Sequence, residues 1–458
     1  MRVLLVSILV LIPCFWHTHI QAGDLGSHMY NVWLAQLIRE GNAQGLYLEW
    51  IYTNVLFDLW AGWLVQLTGF GWGERLAVAT VVLTFFWGSW VWVRSTPDAN
   101  PWPITPLLAM LTYGWVFQAG FLNFYWSLGF CFWGLALAES QAKWKRRLWW
   151  VALIPAAVAH MLPVGWAVAL YLYGQSMQRV NLRRRARLLA AGLAGIAAIS
   201  VFIQMRYSTI WSPEQVLVML GVDQVLLSSP SYLVIAAGFL ALWGLGLLWV
   251  IDAQPPSLLA QRRLVHFLAL TSVGVLLIPL DVHLPGFSSP LSLITQRMSL
   301  PTAVLICGLL SLGNRAKPVF YFGMALALGF FWMMYRDTAA LDHFEDKLHA
   351  AVRTLPAGLR VVAPYEGEPT RAFSYGHIVD RACIGHCFSY ANYEAATTQF
   401  RVRARGANPI VAHDAATSLA LQFAQHVVTG PEAPLYYFRW IPVEQRFELR
   451  ILRAGDRF

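Results

Sequence analysis

Of 458 residues, 57% are hydrophobic and only 12% are charged; soluble domains carry about 25% charged residues, so an ordinary soluble chain is excluded. The formal charge of +9 does not point to nucleic acid, because the basic residues fall in short clusters between apolar segments and not on one face. The 22 tryptophans suit a bilayer protein, whose amphipathic rings anchor helices at the headgroup level.

In chain order, Arg2 is followed by an apolar stretch over 3–16. The small residues of the following "HIQAGD" suit a signal-peptidase site, but an uncleaved first helix is the preferred reading. Either way, the polar stretch from His17 onward is expected outside the cytoplasm. Further apolar segments fall at 76–93, 104–118, 121–139, 148–160, 163–178, 188–206, 232–251, 264–281, 293–312 and 318–335, several of them shorter than the roughly 20 residues of a straight span. The clusters at Arg94, Lys143 to Arg147, Arg179 to Arg187, Arg262 with Arg263, and Arg315 with Lys317 should all be cytoplasmic by the positive-inside rule. Counting back from Arg94, this holds only if 52–68 does not cross. Residues 17–75 then form one external loop with two interfacial amphipathic helices, at about 28–40 and 52–68. The expectation is an all-α polytopic bundle over 1–336 with about eleven spans, its N-terminus cytoplasmic, in a bacterial inner membrane.

From Asp337 the composition turns soluble. "DTAALDHFEDKLHAAVRTLP" reads as a helix, and "LRVVAP", "LYYFRW" and "RFELRIL" as strands, giving a small α/β domain over 337–458 on the periplasmic side. Cys383 and Cys387 of "CIGHC" are candidates for a disulfide in that compartment. A metal site using His377 and His386 lacks both the ligand spacing and a second cysteine pair. Ser374 and His377 taken alone carry no nucleophile–base signal.

The external loop concentrates the chemistry. Asp24 and His28 stand four residues apart just past the first helix, and Glu49 and Asp58 follow. A carboxylate at the mouth of a membrane cavity can act as general base towards an acceptor hydroxyl; the plainer reading is that Asp24 caps the helix at 28–40 or pairs with Arg39. The loop resembles the first external loop of the GT-C superfamily of polyprenyl-phosphate-sugar glycosyltransferases. It shares an acidic residue directly after the first span, an interfacial helix, a second of the type "YTNVLFDLWAGWLVQLTGFG", and then an Arg-led span, "ERLAVAT". "WIYTN" stands where those proteins carry His-Pro-Pro, and the second acidic residue that some place beside the first is missing. The resemblance covers roughly 1–140 and implies a GT-C-like fold, hexosyl or pentosyl transfer, and Asp24 as catalytic base.

Other polar groups gather at the outer span ends. Asn123 and Tyr125 lie in a short turn, His160 lies in "AHMLP", Asp281 and His283 open a loop, and Gln296 and Arg297 begin a span. Ionisable groups at membrane depth are costly and usually functional, which makes His28, Asp58, Asn123, His160, Asp281, His283 and Arg297 candidates for substrate binding. Arg297 suits bidentate pairing with a lipid phosphate. The expected partners are a polyprenyl-phosphate-linked sugar, membrane lipid and a glycan, lipid or protein acceptor. A divalent cation is compatible with the acidic loop, and no other cofactor motif is present: Walker, Rossmann and "HExxH" patterns are absent. A flippase or transporter of an amphiphilic substrate, and a non-catalytic envelope scaffold, are the alternatives. The first should show mid-span charges in two related halves, and no such repeat is seen.

Overall fold

The computed structural model describes residues 1–227, 229–253, 262–287, 290–364, 377–405 and 408–458, and Ser374 lies outside them. The chain is mostly helical with a few short strands. Four helices are long and apolar enough to cross a membrane by length and composition: Leu56–Ser95, Leu182–Arg206, Pro230–Ala253 and Ala316–Val352. Shorter apolar helices cover Arg2–Cys14, Leu122–Ala138, Arg263–Leu277 and Ile294–Leu310. Several apolar helices can therefore span a membrane, and their surfaces agree: on Leu182–Arg206, Ile199, Val201 and Phe202 are all exposed, a pattern that water would penalise and lipid does not.

The described residues divide into two compact units, Met1–Val10 with Thr80–Phe117 and Leu122–Met333, and Leu11–Ala79 with Gln118–Phe121 and Met334–Phe458.

The first unit is a helical bundle. Helix Leu122–Ala138 packs on Lys143–Ala159 and Met161–Gln178, and Arg263–Leu277 packs on Ile294–Leu310 and Leu182–Arg206. Phe85, Phe86, Trp92, Tyr125, Phe132 and Trp149 are fully buried there. Two helices meet at glycines: a Cβ on Gly88 would lie 2.6 Å from the Gly129 carbonyl oxygen, and one on Gly129 would lie 2.9 Å from Phe85 Cα. Small residues let helix backbones approach closely where lipid supplies no hydrophobic drive.

The second unit joins the early segment Leu11–Ala79 to the C-terminal segment. Strand Leu46–Leu48 of the early segment pairs antiparallel with Val402–Ala404. A four-stranded sheet runs Phe388–Ser389, Arg360–Val362, Leu435–Ile441, Arg446–Leu452; its first three strands are parallel and its last two form an antiparallel pair. Helix Leu25–Arg39 is buried through most of its first two turns, and its Tyr30, Leu34 and Ala35 share one core with Leu348, Val361, Val379, Ala382 and Phe438. Its burial comes from the C-terminal segment, which local amphipathicity does not reveal. Cys383 and Cys387 are disulfide-bonded and buried in that core.

Helix Leu56–Ser95 breaks at Gly69, whose φ of 79° is non-helical. Before the break one face, Phe57, Ala61, Leu64 and Val65, is buried, while Leu59, Trp63 and Leu67 on the other are exposed. A helix apolar on both sides fits a protein–lipid interface better than water. The soluble helix expected from Asp337 is the last part of the continuous helix Ala316–Val352.

Candidate functional site

Asp24, His28 and Asp58 all fall in the second unit, where the C-terminal segment supplies their partners. Asp24 sits at the N-cap position of Leu25–Arg39 yet makes no side-chain cap bond, so capping does not explain it. Its Oδ1 lies 3.6 Å from His377 Nε2, and its side chain keeps 27% exposure. The other nitrogen of His377, Nδ1, lies 2.8 Å from Asp380 Oδ2. Asp380 is buried and also accepts from Asn392 Nδ2 at 2.8 Å and from the Ser389 hydroxyl. The result is a carboxylate–imidazole–carboxylate chain running from a fully buried anchor to a partly exposed end. Burial opposes a charge on His377, but the hydrogen bond and charge of Asp380, together with the charge of Asp24, raise its pKa above the ordinary imidazole value. His377 thus stands between the two carboxylates, with Asp24 at its open end.

The backbone at Asp24 is held by the short segment 118–121 of the same unit. Gly23 N donates to the Gln118 carbonyl at 2.7 Å and Asp24 N to the Ala119 carbonyl at 3.2 Å. Gly120 has φ +80°, and a Cβ there would lie 2.2 Å from Asp24 N, so both the conformation and the space require glycine. Gly120→Val is expected to displace Asp24 and to lower any activity that depends on it at least tenfold, the penalty of about a 1 Å misplacement or more. Initial rates, beside a melting curve showing folded protein, check this.

A second polar cluster adjoins the first. His28 Nδ1 lies 2.8 Å from Asp58 Oδ1. Ser27 Oγ donates to Glu394 Oε1 at 3.0 Å, and Asn392 Nδ2 donates to Ser27 Oγ at 3.0 Å, so Asn392 links the two clusters. Burial, before any other cause, raises the pKa of Glu394, and Asp58 and Asp24 add to the shift. Burial disfavours charge on His28, but Asp58 overcomes it and the imidazole is raised from 6.5 to about 9. A base with a raised folded-state pKa contributes stability that is fully present below 6.5 and is lost as pH rises through 9. The contribution is on the order of 3 kcal/mol. The melting temperature should therefore fall between pH 6.5 and 9, and His28→Gln should flatten that fall. A slope remains in the variant, because an acid with a raised pKa, Glu394, also costs stability as it ionises.

Beside these groups a small pocket is lined by Asn31, Asn54, Asp58, Glu394, Phe400 and Arg401. At about 10 Å³ it has room for a single water and not for a sugar ring. Tyr393 packs edge-on against Phe400, with centroids 5.4 Å apart.

The remaining sequence candidates fall in the first unit and play different parts there. His160 Nδ1 accepts from Leu162 N at 3.2 Å and so caps its helix, and Ser127 Oγ donates to the His160 carbonyl at 2.7 Å. Asp281 Oδ1 accepts from Leu293 N at 2.9 Å, and exposed His283 lies in a short strand paired with Ser208–Ile210. Asn123 is buried near the start of its helix. Arg297 is close enough to His160 for its charge to be felt there. Close by in sequence to Arg297, Ser299 Oγ donates to Asp223 Oδ2 at 2.6 Å, and Gln224 Nε2 donates to the Gln296 carbonyl at 2.9 Å. Burial pushes Asp223 up to about 7. His386 Nε2 bonds the Leu355 carbonyl at 2.9 Å, and Cys383 and Cys387 are joined in a disulfide, which leaves no thiolate there to bind a metal.

His377, Asp380, Asn392, Glu394 and Arg401 were not singled out as functional from sequence. The only local signal is the His377/Asp380 spacing of three, which is common on helices. Comparison with protein families, curated proteins and solved structures yields no match.

Proposed function

We propose that the chain is a GT-C-like membrane glycosyltransferase that moves a hexosyl or pentosyl group from a polyprenyl-phosphate donor to an extracytoplasmic acceptor, with Asp24 as general base. In the proposed topology about eleven helices span a bacterial inner membrane, the N-terminus is cytoplasmic, and the 17–75 loop and the C-terminal segment face the periplasm. The observation that carries the reading is the position of Asp24 at the exposed end of the chain formed with His377 and Asp380. A carboxylate oriented through one oxygen leaves the other, Oδ2, to receive a proton.

The reaction is a single displacement. The acceptor oxygen attacks the anomeric carbon as its proton passes to Asp24 Oδ2. The carbon–oxygen bond to the phosphate breaks, and polyprenyl phosphate departs with the electron pair. His377, held by Asp380, positions the Asp24 carboxylate during transfer, so positioning and electrostatics supply the rate.

The test is transfer by purified protein in nanodiscs from a panel of radiolabelled polyprenyl-phosphate sugars to crude envelope acceptors. Label in the acceptor fraction is the expected result. No transfer from any donor would sink the reading and return weight to the transporter or scaffold.

A further inference from the structure

We infer that the second unit carries a binding site for a divalent transition-metal ion, built from His19, Glu345 and His349, independent of the glycosyltransferase reading. Glu345 and His349 stand at positions i and i+4 of helix Ala316–Val352, on one face a turn apart, and His19 comes from the external loop. One ligand atom from each residue lies within 4.8 Å of the others. His19 Nδ1 is 3.7 Å and His349 Nε2 is 3.5 Å from Glu345 Oε1. With metal–nitrogen bonds of about 2.0–2.1 Å, the edge of a tetrahedral ligand set is about 3.4 Å, so two edges are nearly formed.

The surroundings prepare these atoms as ligands. His19 Nε2 lies 3.1 Å from Asp346 Oδ1; a proton held on Nε2 for that bond leaves the Nδ1 lone pair facing Glu345. A carboxylate behind a ligating histidine is the usual outer partner that fixes its tautomer. His349 Nε2 is buried and makes no hydrogen bond, an orphan atom that a metal would satisfy. The two imidazoles lie nearly parallel, with centroids 4.9 Å apart and an interplanar angle of 11°; joint ligation requires one ring to turn so that both in-plane lone pairs meet at the ion. Arg381 grips Glu345 through Nε at 2.6 Å and Nη2 at 2.8 Å, which fixes the carboxylate and leaves Oε1 a second lone pair. Glu74, Asp346 and Glu345 outweigh the single charge of Arg381, so a dication is welcome. Two imidazoles and one carboxylate select zinc-like ions over magnesium or calcium, and three protein ligands leave a fourth position open.

Full-length protein stripped with chelator is titrated with Co2+ and followed by its visible d–d absorption, with Zn2+ then added to displace it. The expected result is saturation at one equivalent, with bands of tetrahedral intensity and no thiolate charge-transfer band. Zinc should abolish the signal and a large excess of Mg2+ should not. His19→Asn and His349→Asn should each weaken Co2+ binding at least tenfold with the melting temperature of the chelated protein unchanged. If one variant fails to fold, the other supplies the readout. Absence of stoichiometric binding by the wild type overturns the proposal, and so does binding that survives both substitutions.

Discussion

Asp24→Asn is expected to reduce sugar transfer by about 10²–10⁴-fold, the usual contribution of a positioned general base, while leaving the protein folded. Asparagine keeps the shape of the side chain and can still face His377, but its amide cannot accept the acceptor's proton. Stability should change by no more than about 0.5 kcal/mol, because Asp24 is partly exposed and makes no cap bond. His377→Gln should give a smaller loss and an altered pH–rate profile, since it removes the charge that orients Asp24 and leaves the base itself. Single-turnover rates for both variants, beside melting curves, separate base from orienter. Full transfer by folded Asp24→Asn would move the base elsewhere, to Asp58 first.

The second large effect is on folding. Arg381 is buried with its guanidinium divided between Glu345 at 2.6 Å, Glu74 at 2.7 Å and the Ile20 carbonyl at 3.0 Å. One side chain thus ties the external loop, the helix after the Gly69 break, the C-terminal part of Ala316–Val352 and the segment Ile378–Cys383. Arg381→Ala strands two carboxylates away from water, and removing one partner of a buried ion pair costs about 3–5 kcal/mol. The expected outcome is a steep drop in melting temperature and in the yield of monodisperse protein. Replacing Glu345 and Glu74 by glutamine in the same variant should recover part of the loss, because the uncompensated charges go with them. A melting temperature unchanged in Arg381→Ala would show that the network contributes little.

What could be read from the sequence follows the range of the forces involved. Apolar runs announce their helices, and Arg2–Leu11, Leu122–Ala138, Lys143–Ala159, Leu182–Arg206 and Ile294–Leu310 all lie over or close to segments identified by hydropathy. The sequence marked Asp24 from its place in the polar stretch after the first apolar run, and in the structure it stands at the N-cap position of Leu25–Arg39. The pairing of Leu46–Leu48 with Val402–Ala404 was not, because three-residue strands far apart in sequence carry no periodicity that names a partner. His377 went unrecognised for the same reason: its value comes from Asp24, and nothing near position 377 encodes that contact. Asp342, Glu345 and Asp346 lie in the segment read from sequence only as a helix of a soluble domain. Asp342 instead accepts from the backbone of His19 at 2.6 Å, and Glu345 is fully buried.

The second unit draws its strands and core from both ends of the chain, with nearly all of the first unit encoded between them. During synthesis Tyr30 and Leu34 must therefore wait uncovered until their partners in Met334–Phe458 have been made. Contacts so distant in sequence form slowly and leave apolar surface open in the interval. A chain halted before Ile378–Cys383 is made has no Arg381 for its waiting Glu74 and Glu345.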